Sequence, residues 1–277
     1  MTEQVLTERV LTEQVLTEQV LTEQVLTEQV LVTDDGAVRV IRLNRPEKKN
    51  ALTQAMYAEM TRALREAASD EAIRCMLLAG APGGSGAFCA GADIGEFVEA
   101  AQDGGLRPMT VEFLKALTRN PKPLVAAVGG LAVGVGTTML LHCDYVVAAA
   151  GATFATPFTR LGLIPEAASS LLAPMRMGHA RAFSLLVMGR PLSAQAAQAA
   201  GIVNEVVDAA AVDETAMQAA REIAALPAGA VALSRALLRG EGDDVVSRMD
   251  VETMYFKERL QSAEARAAFA AFLKRKK

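Results

Sequence analysis

Two glycine-containing turns constrain most strongly what this chain can fold into. The first is FCAGAD at residues 88–93, and the second is GLAVGVG at residues 130–136. Each turn has the pattern of a strand end that leads into a helix, with small residues where a ligand can approach the backbone. If the two turns face each other, two backbone N–H groups point at one place, which is the geometry of an oxyanion hole.

Outside these turns, the chain alternates predicted strands with predicted helices. A hairpin is predicted where Asp34-Asp35-Gly36 separates two β-rich runs, and Thr53 is predicted to cap an amphipathic helix that ends near Ala68. Further buried strands are predicted at 75–79, 124–128 and 145–149, with a helix from about Gly134 to His142. From about Ser193 onward the pattern is helical. This alternation predicts an α/β fold.

The first 31 residues are a repeat of the unit TEQVL, with one change to arginine at Arg9. A five-residue period gives no continuous apolar face in either a helix or a strand. Six glutamates against one arginine give the repeat a charge of −5, whereas the whole chain carries −4, so the remainder is close to +1. We therefore treat residues 1–31 as an N-terminal extension without a catalytic role.

The composition excludes several classes of protein. No apolar run reaches the roughly 18–20 residues that span a bilayer, which predicts a protein without membrane partners. The absence of tryptophan and the mildly acidic balance argue against a nucleic-acid surface. Cys75, Cys89 and Cys143 are too few and too widely spaced for a disulfide framework or a zinc site. They indicate a reducing compartment, and we expect a cytoplasmic location.

Four motifs resemble, in order and spacing, those of the enoyl-CoA hydratase/isomerase (crotonase) superfamily. They are FCAGADI at 88–94, PKPLVAAVGGLAVGVG at 121–136, HCDYVVAAAGATFATPFTRLGLIPE at 142–166 and AGIVNEVV at 200–207. The resemblance implies a core spiral of ββα units over residues 32–192 and a helical trimerisation region over 193–277. It also implies acyl-CoA thioester substrates, a homotrimer or hexamer, no metal, and coenzyme A only as part of the substrate.

The same resemblance implies roles for individual residues. The N–H groups of Ala92 and Val135 would hold the thioester oxygen, and Gly134 and Gly136 would allow its close approach. Contacts to the CoA moiety are implied for Asn50, Ala51, Leu52, Ala90, Gly91 and Asp93. Basic side chains that could meet the phosphates are Lys48, Lys49, Lys274 and Lys276. Asp93 is also expected to cap the helix that follows it.

The carboxylates indicate which branch of the superfamily this chain resembles. Hydratases of the superfamily use two glutamates, and the corresponding positions here are Thr138 and Phe158. A different carboxylate, Glu166, follows the LIP motif, as in the Δ3,Δ2-enoyl-CoA isomerase branch. The resemblance implies that Glu166 is the sole acid/base of a 1,3-proton shift. An apolar surround that includes Leu161 and Leu163 should raise its pKa. Alternatively, Glu166 could only cap a helix beginning near Ala167.

Three further interpretations stay open. The chain could catalyse another reaction of the superfamily, including hydration, or it could be a non-catalytic acyl-CoA-binding scaffold. A nicotinamide site is disfavoured, because Met139 stands where the third glycine of that motif belongs. Among other polar residues, Asp144 is expected to be a buried hydrogen-bond acceptor, His142 and His179 to be non-catalytic, and Glu96 to face solvent or to line the acyl channel.

Overall fold

The computed structural model describes residues 29–81, 86–102, 107–240 and 242–275, without the side chains of 100–102 and 272–275. The prediction for the first 28 residues therefore lies outside the described part of the chain. The last repeat copy nevertheless enters the fold, because Val30 and Leu31 begin the first strand. The boundary of the extension thus falls inside that copy.

The strands of the described residues form two sheets. In chain order they are β1 Val30–Asp35, β2 Val38–Leu43, β3 Cys75–Ala79, β4 Ala87–Cys89, β5 Leu124–Val128, β6 Leu131–Val133, β7 Tyr145–Ala149, β8 Thr153–Ala155, β9 Leu192–Ser193 and β10 Glu205–Val207. The larger sheet has the order β1-β2-β3-β5-β7-β10, and the smaller one has the order β4-β6-β8-β9. The pairs β1/β2 and β8/β9 are antiparallel, and the others are parallel.

Helices connect and cover these strands. They are α1 Gln54–Ser69, α2 Ile94–Gln102, α3 Pro108–Arg119, α4 Val135–Thr138, α5 Ser169–Leu186, α6 Ala194–Ala199, α7 Val212–Ala225, α8 Ala228–Arg239, α9 Gly242–Leu260 and α10 Ala263–Arg275. Short 3-10 turns cover Pro46–Lys48, Met139–His142, Thr159–Leu161 and Ala209–Ala211. Over the described residues, no helix combines the length and the apolar composition that crossing a bilayer requires.

The predicted first helix illustrates how local signals set the elements. The Thr53 hydroxyl accepts the Met56 N–H at 3.2 Å, which satisfies one of the unpaired donors at the start of α1. Met56, Met60 and Leu64 lie on its buried face, as their helical spacing predicts. The start and the buried face of this helix are therefore confirmed.

The two sheets are built by a repeated winding of the chain. The pairs β3/β4, β5/β6 and β7/β8 each give their first strand to the larger sheet and their second strand to the smaller sheet. This is the expected α/β spiral of ββα units, and the fold class is confirmed. Because β4 and β6 are parallel neighbours, their carboxyl ends lie side by side. The two glycine-containing turns that follow these strands are therefore brought together.

The C-terminal region differs from the prediction in one respect. Residues beyond 192 are not purely helical, because β9 pairs with β8 and β10 adds a parallel strand beside β7. Two- and three-residue strands are too short to show a period of two, and the surrounding alanine-rich sequence favours helix. The sheet core therefore extends past the predicted boundary at 192.

Candidate active site

One cavity of about 160 Å³ brings together the three residues that were expected to catalyse. Ala92, Val135 and Glu166 all line it. The other lining residues are mostly apolar or backbone groups: Tyr57, Ala90, Gly91, Ile94, Phe97, Thr110, Val133, Gly134, Pro157, Phe158, Leu161, Leu163, Phe256 and Phe269. A mostly apolar cavity with a few convergent polar groups is typical of a small-molecule site.

The first turn holds Ala92 with its N–H directed away from a neighbouring segment. Leu52 forms a parallel bridge with Ala92. In this bridge the Leu52 N–H donates to the Gly91 carbonyl at 2.8 Å, and the Asp93 N–H donates to the Leu52 carbonyl at 2.8 Å. Because backbone groups alternate sides along an extended chain, the Ala92 N–H points away from Leu52. It is thus free of this pairing and available to a ligand in the cavity that Ala92 lines.

The second turn presents Val135 as the first residue of α4. Gly134, which precedes it, has a φ of 55°, a conformation that strongly favours glycine. The Gly134 carbonyl accepts the N–H groups of Thr137 and Thr138 at 2.9 and 3.0 Å, so the helix begins here. The N–H of a first helical residue has no partner within its helix. Val135 therefore supplies a second backbone donor at the cavity.

Gly136 has a different role from the one expected. It does not line the cavity with Gly134 and Val135. A Cβ added to Gly136 would lie 2.5 Å from the carbonyl oxygen of Cys89, which is far closer than van der Waals contact allows. Gly136 is therefore required for α4 to pack against the end of β4. This packing sets the separation of the two turns.

Glu166 provides the carboxyl group of the cavity. The residue is half-buried, and its neighbours in the lining include the buried side chains of Phe158 and Leu163. Burial, together with the nearby carboxylate of Glu252, raises the pKa of Glu166 to about 8. The pKa is raised, as predicted, and the main cause is the loss of solvation that the apolar surround predicts. A carboxyl group with such a pKa exchanges protons readily near neutral pH.

The alternative role of Glu166 as a helix cap is wrong. The helix α5 begins at Ser169, after two residues in the left-handed region, Ala167 with φ 60° and Ala168 with φ 53°. The carboxylate that accepts the first amides of this helix is that of Glu252 on α9, from Ala168 at 2.6 Å and Ser170 at 2.9 Å. The Glu166 side chain is therefore not needed at the helix start.

Glu252 was missed by the sequence analysis. It is 4% exposed, and it lies on a helix whose other faces carry exposed charges. Its partners are separated from it by more than eighty residues, so no local pattern reveals the contact. Phe256 and Phe269, from α9 and α10, were also missed as cavity residues.

The positions of the two hydratase glutamates hold no acid in this chain. Phe158 is buried and lines the cavity, whereas Thr138 is fully buried and lies outside the lining. Within the described residues of the lining, Glu166 is the one carboxylate. A water molecule in this cavity would therefore meet a single acid/base instead of two.

Apart from Gly136, which does not line the cavity, the residues expected to contact CoA or the thioester lie along one edge of it. Ala90, Gly91 and Gly134 line it, whereas Leu52 and Asp93 line a smaller cavity beside it. Residues 49–52 run along this edge, since the Ala90 N–H donates to the Lys49 carbonyl at 2.9 Å.

The side chains of this edge are largely engaged within the protein. Asn50 is buried, its side-chain amide donates to the carbonyls of Ala87 and Phe88, and its backbone N–H donates to the Arg45 carbonyl, so these donors are engaged within the protein. The Ala51 carbonyl accepts the Arg45 guanidinium at 3.0 Å. The exposed side chains of Lys48 and Lys49 stand nearby. Lys276 and the side chain of Lys274 lie outside the described part.

Asp93 and Glu96 both serve as local acceptors. Asp93 accepts the Gly95 N–H at 2.9 Å, as expected of a helix cap, and pairs with Arg45 at 2.7 Å. Burial alone would raise the pKa of Asp93, but the hydrogen bond and charge of Arg45 and the Gly95 amide lower it overall. Glu96 does not face solvent as expected: it is half-buried and accepts the Gln54 N–H at 2.7 Å.

Asp144 and His142 also have structural partners. Asp144 is a hydrogen-bond acceptor as predicted, since it accepts the Leu124 N–H and the Arg235 guanidinium. The prediction that it is buried is wrong, because it lies at the surface between β7 and α8. His142 is buried, its pKa is lowered by burial to about 4, and its Nε2 donates to the Ala167 carbonyl at 2.8 Å. It is therefore a neutral core histidine.

Comparisons with known proteins agree with the motifs and the fold. The sequence model of the family enoyl-CoA hydratase/isomerase matches residues 33–277. The Escherichia coli protein 1,2-epoxyphenylacetyl-CoA isomerase is 36% identical over 85% of this chain and 92% of its own length. Rat enoyl-CoA delta isomerase 2 is 34% identical over 88% of this chain, which spans 63% of the rat protein. The solved structure of Pseudomonas aeruginosa OdaA is 41% identical, with a TM-score of 0.84, over 89% of this chain and 99% of that one.

Proposed function

Because this chain belongs to the enoyl-CoA hydratase/isomerase family, we propose that it is an enoyl-CoA isomerase that converts 3-enoyl-CoA into 2-enoyl-CoA. The observation that carries the proposal is the composition of the cavity. Glu166 is the one carboxylate in its described lining, and it shares the cavity with the Ala92 and Val135 backbone donors. A single acid/base and an oxyanion hole are sufficient for a 1,3-proton shift, whereas hydration in this family uses two carboxylates.

The reaction requires one proton acceptor that later returns the proton. In its ionised form, Glu166 removes a proton from C2, and the electron pair of that C–H bond moves into the thioester to form a dienolate. The N–H groups of Ala92 and Val135 hold the negative oxygen, and each such donor is worth about 3–4 kcal/mol in the transition state. The protonated Glu166 then gives the proton to C4. The double bond moves from C3–C4 to C2–C3, and Glu166 is ionised again.

In this proposal CoA is part of the substrate and is not a cofactor held by the protein. The acyl group of the substrate enters the cavity beside Ala90 and Gly91, which line it. Its polar end follows residues 49–52, where the exposed Lys48 and Lys49 can meet phosphate oxygens.

A second candidate substrate follows from the aromatic wall of the cavity. The ring of Phe97 lies 5.9 Å from that of Phe256 and 5.6 Å from that of Phe269, and all three residues line the cavity. Such rings can pack against an aromatic or ring-derived acyl group. The E. coli relative is named for an acyl-CoA of that kind. This candidate keeps the same proton acceptor and oxyanion hole, but the bond that breaks after the proton leaves C2 belongs to the epoxide ring of the acyl group.

Three substrates tested separately distinguish the candidates. With an aliphatic 3-enoyl-CoA, isomerisation produces new ultraviolet absorbance from the conjugated thioester. With crotonyl-CoA, hydration would remove that absorbance, and we expect no such loss above background. With a ring-derived epoxyacyl-CoA, product is detected by chromatography. If the protein binds all three esters and converts none, it is a scaffold and the proposal is wrong.

The pH dependence of kcat/KM reports the state of Glu166. Since the base must be ionised and its pKa is about 8, kcat/KM should rise as the pH increases and level off above about 8. Below that value the rise should approach tenfold per pH unit. Steady-state rates between pH 6 and 9 measure this, with retained activity after return to pH 7 as the control. A profile that is flat or falling over this range would contradict the assignment.

A further inference from the structure

The backbone that follows Glu166 is held in an unusual conformation. Ala167 and Ala168 are consecutive non-glycine residues with positive φ, and both are buried. Side chains with a Cβ rarely occupy this region, so the surrounding contacts must hold it. The conformation of these two residues determines the direction in which Glu166 leaves the backbone.

Two buried side chains, one from before this turn in the sequence and one from after it, form hydrogen bonds with its backbone. His142 donates from Nε2 to the Ala167 carbonyl at 2.8 Å. Glu252 accepts the Ala168 N–H at 2.6 Å with one carboxylate oxygen and the Ser170 N–H at 2.9 Å with the other. Both oxygens of Glu252 are thus bonded to the backbone beside Glu166, although Glu252 lies on the distant helix α9.

The ionisable groups around Glu166 influence its pKa, and Glu252 is one of them. Tyr57 from α1 and Cys89 from β4 also face Glu166, but burial raises the pKa of each well above neutral, so both are uncharged. Glu252 is the second carboxyl near Glu166, and burial raises its own pKa although the amides of Ala168 and Ser170 lower it. Arg248, which is exposed, contacts the Ser170 hydroxyl at 3.4 Å and favours the charged form of Glu252.

We propose that Glu252 is a positioning residue for Glu166. Its two hydrogen bonds hold Ala168 and Ser170 in place, and they thereby aim the Glu166 side chain into the cavity that Ala92 and Val135 line. Its negative charge favours the protonated form of Glu166, which the second half of the reaction requires. This inference rests on the proposed role of Glu166. It assigns a part in the reaction to α9, whose Phe256 lies one turn later and lines the same cavity.

Two substitutions separate the geometry from the charge. Glu252→Asp keeps the charge but is one methylene shorter, so it cannot reach both amides. Glu252→Gln keeps the length, removes the charge and replaces one acceptor with a donor that faces an N–H group. The matched control is Glu258→Gln, an exposed glutamate on the same helix. Both Glu252 variants should lower kcat by about tenfold or more and change KM by about twofold or less.

The titration of Glu166 gives a readout that a purely structural role would not move. Carbon-13 NMR of labelled glutamate carboxyls follows it, and the signal is assigned by its loss in Glu166→Gln. In Glu252→Gln the midpoint should fall below about 8 but stay above the ordinary value of 4.5, because one like charge is gone while burial remains. In Glu252→Asp it should stay near its original value. The control should match the unmodified protein.

The NMR titration tests the inference even if the enzyme assay detects no turnover. If the unmodified protein converts no enoyl-CoA, the proposed function fails, while the NMR titration still tests whether Glu252 acts on Glu166. An unchanged Glu166 midpoint in Glu252→Gln, together with unchanged kcat in both variants, would overturn the inference. If both variants fail to fold, the amide signals of Ala168 and Ser170 in the unmodified protein should shift as Glu252 titrates, and invariant signals would reject it.

Discussion

Glu166→Gln should lower kcat for the conversion of 3-enoyl-CoA by about 10²–10⁴-fold while the protein still binds acyl-CoA. The substitution keeps the size and shape of the side chain but removes the group that accepts and returns the proton, a contribution of about 10²–10⁴. The Ala92 and Val135 donors and the apolar lining are unchanged. Steady-state kinetics and equilibrium binding of a saturated acyl-CoA measure the two quantities separately.

The stability of the same variant provides its folding control. Because the pKa of Glu166 is raised from 4.5 to about 8 in the folded state, the stability that this group contributes is present at low pH and is lost as the pH rises through about 8. Glutamine does not titrate, so the Tm of the variant relative to the unmodified protein should increase between pH 6 and pH 9. Thermal unfolding monitored by circular dichroism checks this.

The neighbouring carboxylate of Glu96 offers a matched comparison. It is half-buried and lies in the small cavity beside the site, where it accepts a backbone N–H instead of facing the acyl group. Glu96→Gln should keep kcat within about threefold of the unmodified protein. Should Glu166→Gln retain full activity while Glu96→Gln loses it, the acid/base has been assigned to the wrong carboxylate.

The sequence was sufficient for the parts of the site that depend on local signals. Each of the two glycine-containing turns joins an apolar strand to a helix start through small residues, and this pattern is contained within seven residues or fewer. Thr53 and the spacing of Met56 and Met60 predicted α1 for the same reason. The role proposed for Glu166 required the resemblance to a family, since one glutamate after a proline has no distinctive pattern of its own.

Features that depend on tertiary contacts could not be predicted. Gly136 was expected to allow the thioester to approach. In the structure a glycine is required there because the backbone of Cys89, on a separate strand, leaves no space for a Cβ. Glu252 lies 84 and 82 residues away from its partners Ala168 and Ser170 in the sequence. The short strand β10 is recognisable only by the neighbour with which it pairs. In each case the feature is set by a contact with a residue that is far away in the sequence. Periodicity and capping rules describe only neighbouring residues and cannot reveal such a contact.

Val135→Pro should lower kcat by about 10²–10³-fold with only a small change in KM. Proline has no N–H group, so the substitution removes one of the two donors for the enolate oxygen. Because Val135 is the first residue of α4, proline is compatible with the helix at this position. The loss should fall on kcat, because the charge that the donor stabilises develops in the transition state.

Val135→Ala is the control that isolates the N–H group. Both substitutions remove the branched side chain of Val135, which is 2% exposed, and both should therefore lose some stability through altered packing. Only the proline variant also loses the donor, so the ratio of the two kcat values measures what the N–H contributes. A ratio near one would mean that the thioester oxygen does not bind at Val135. The negative charge would then need another partner, because at neutral pH the lining of this cavity, over the described residues, presents Glu166 as its one carboxyl group and no basic side chain.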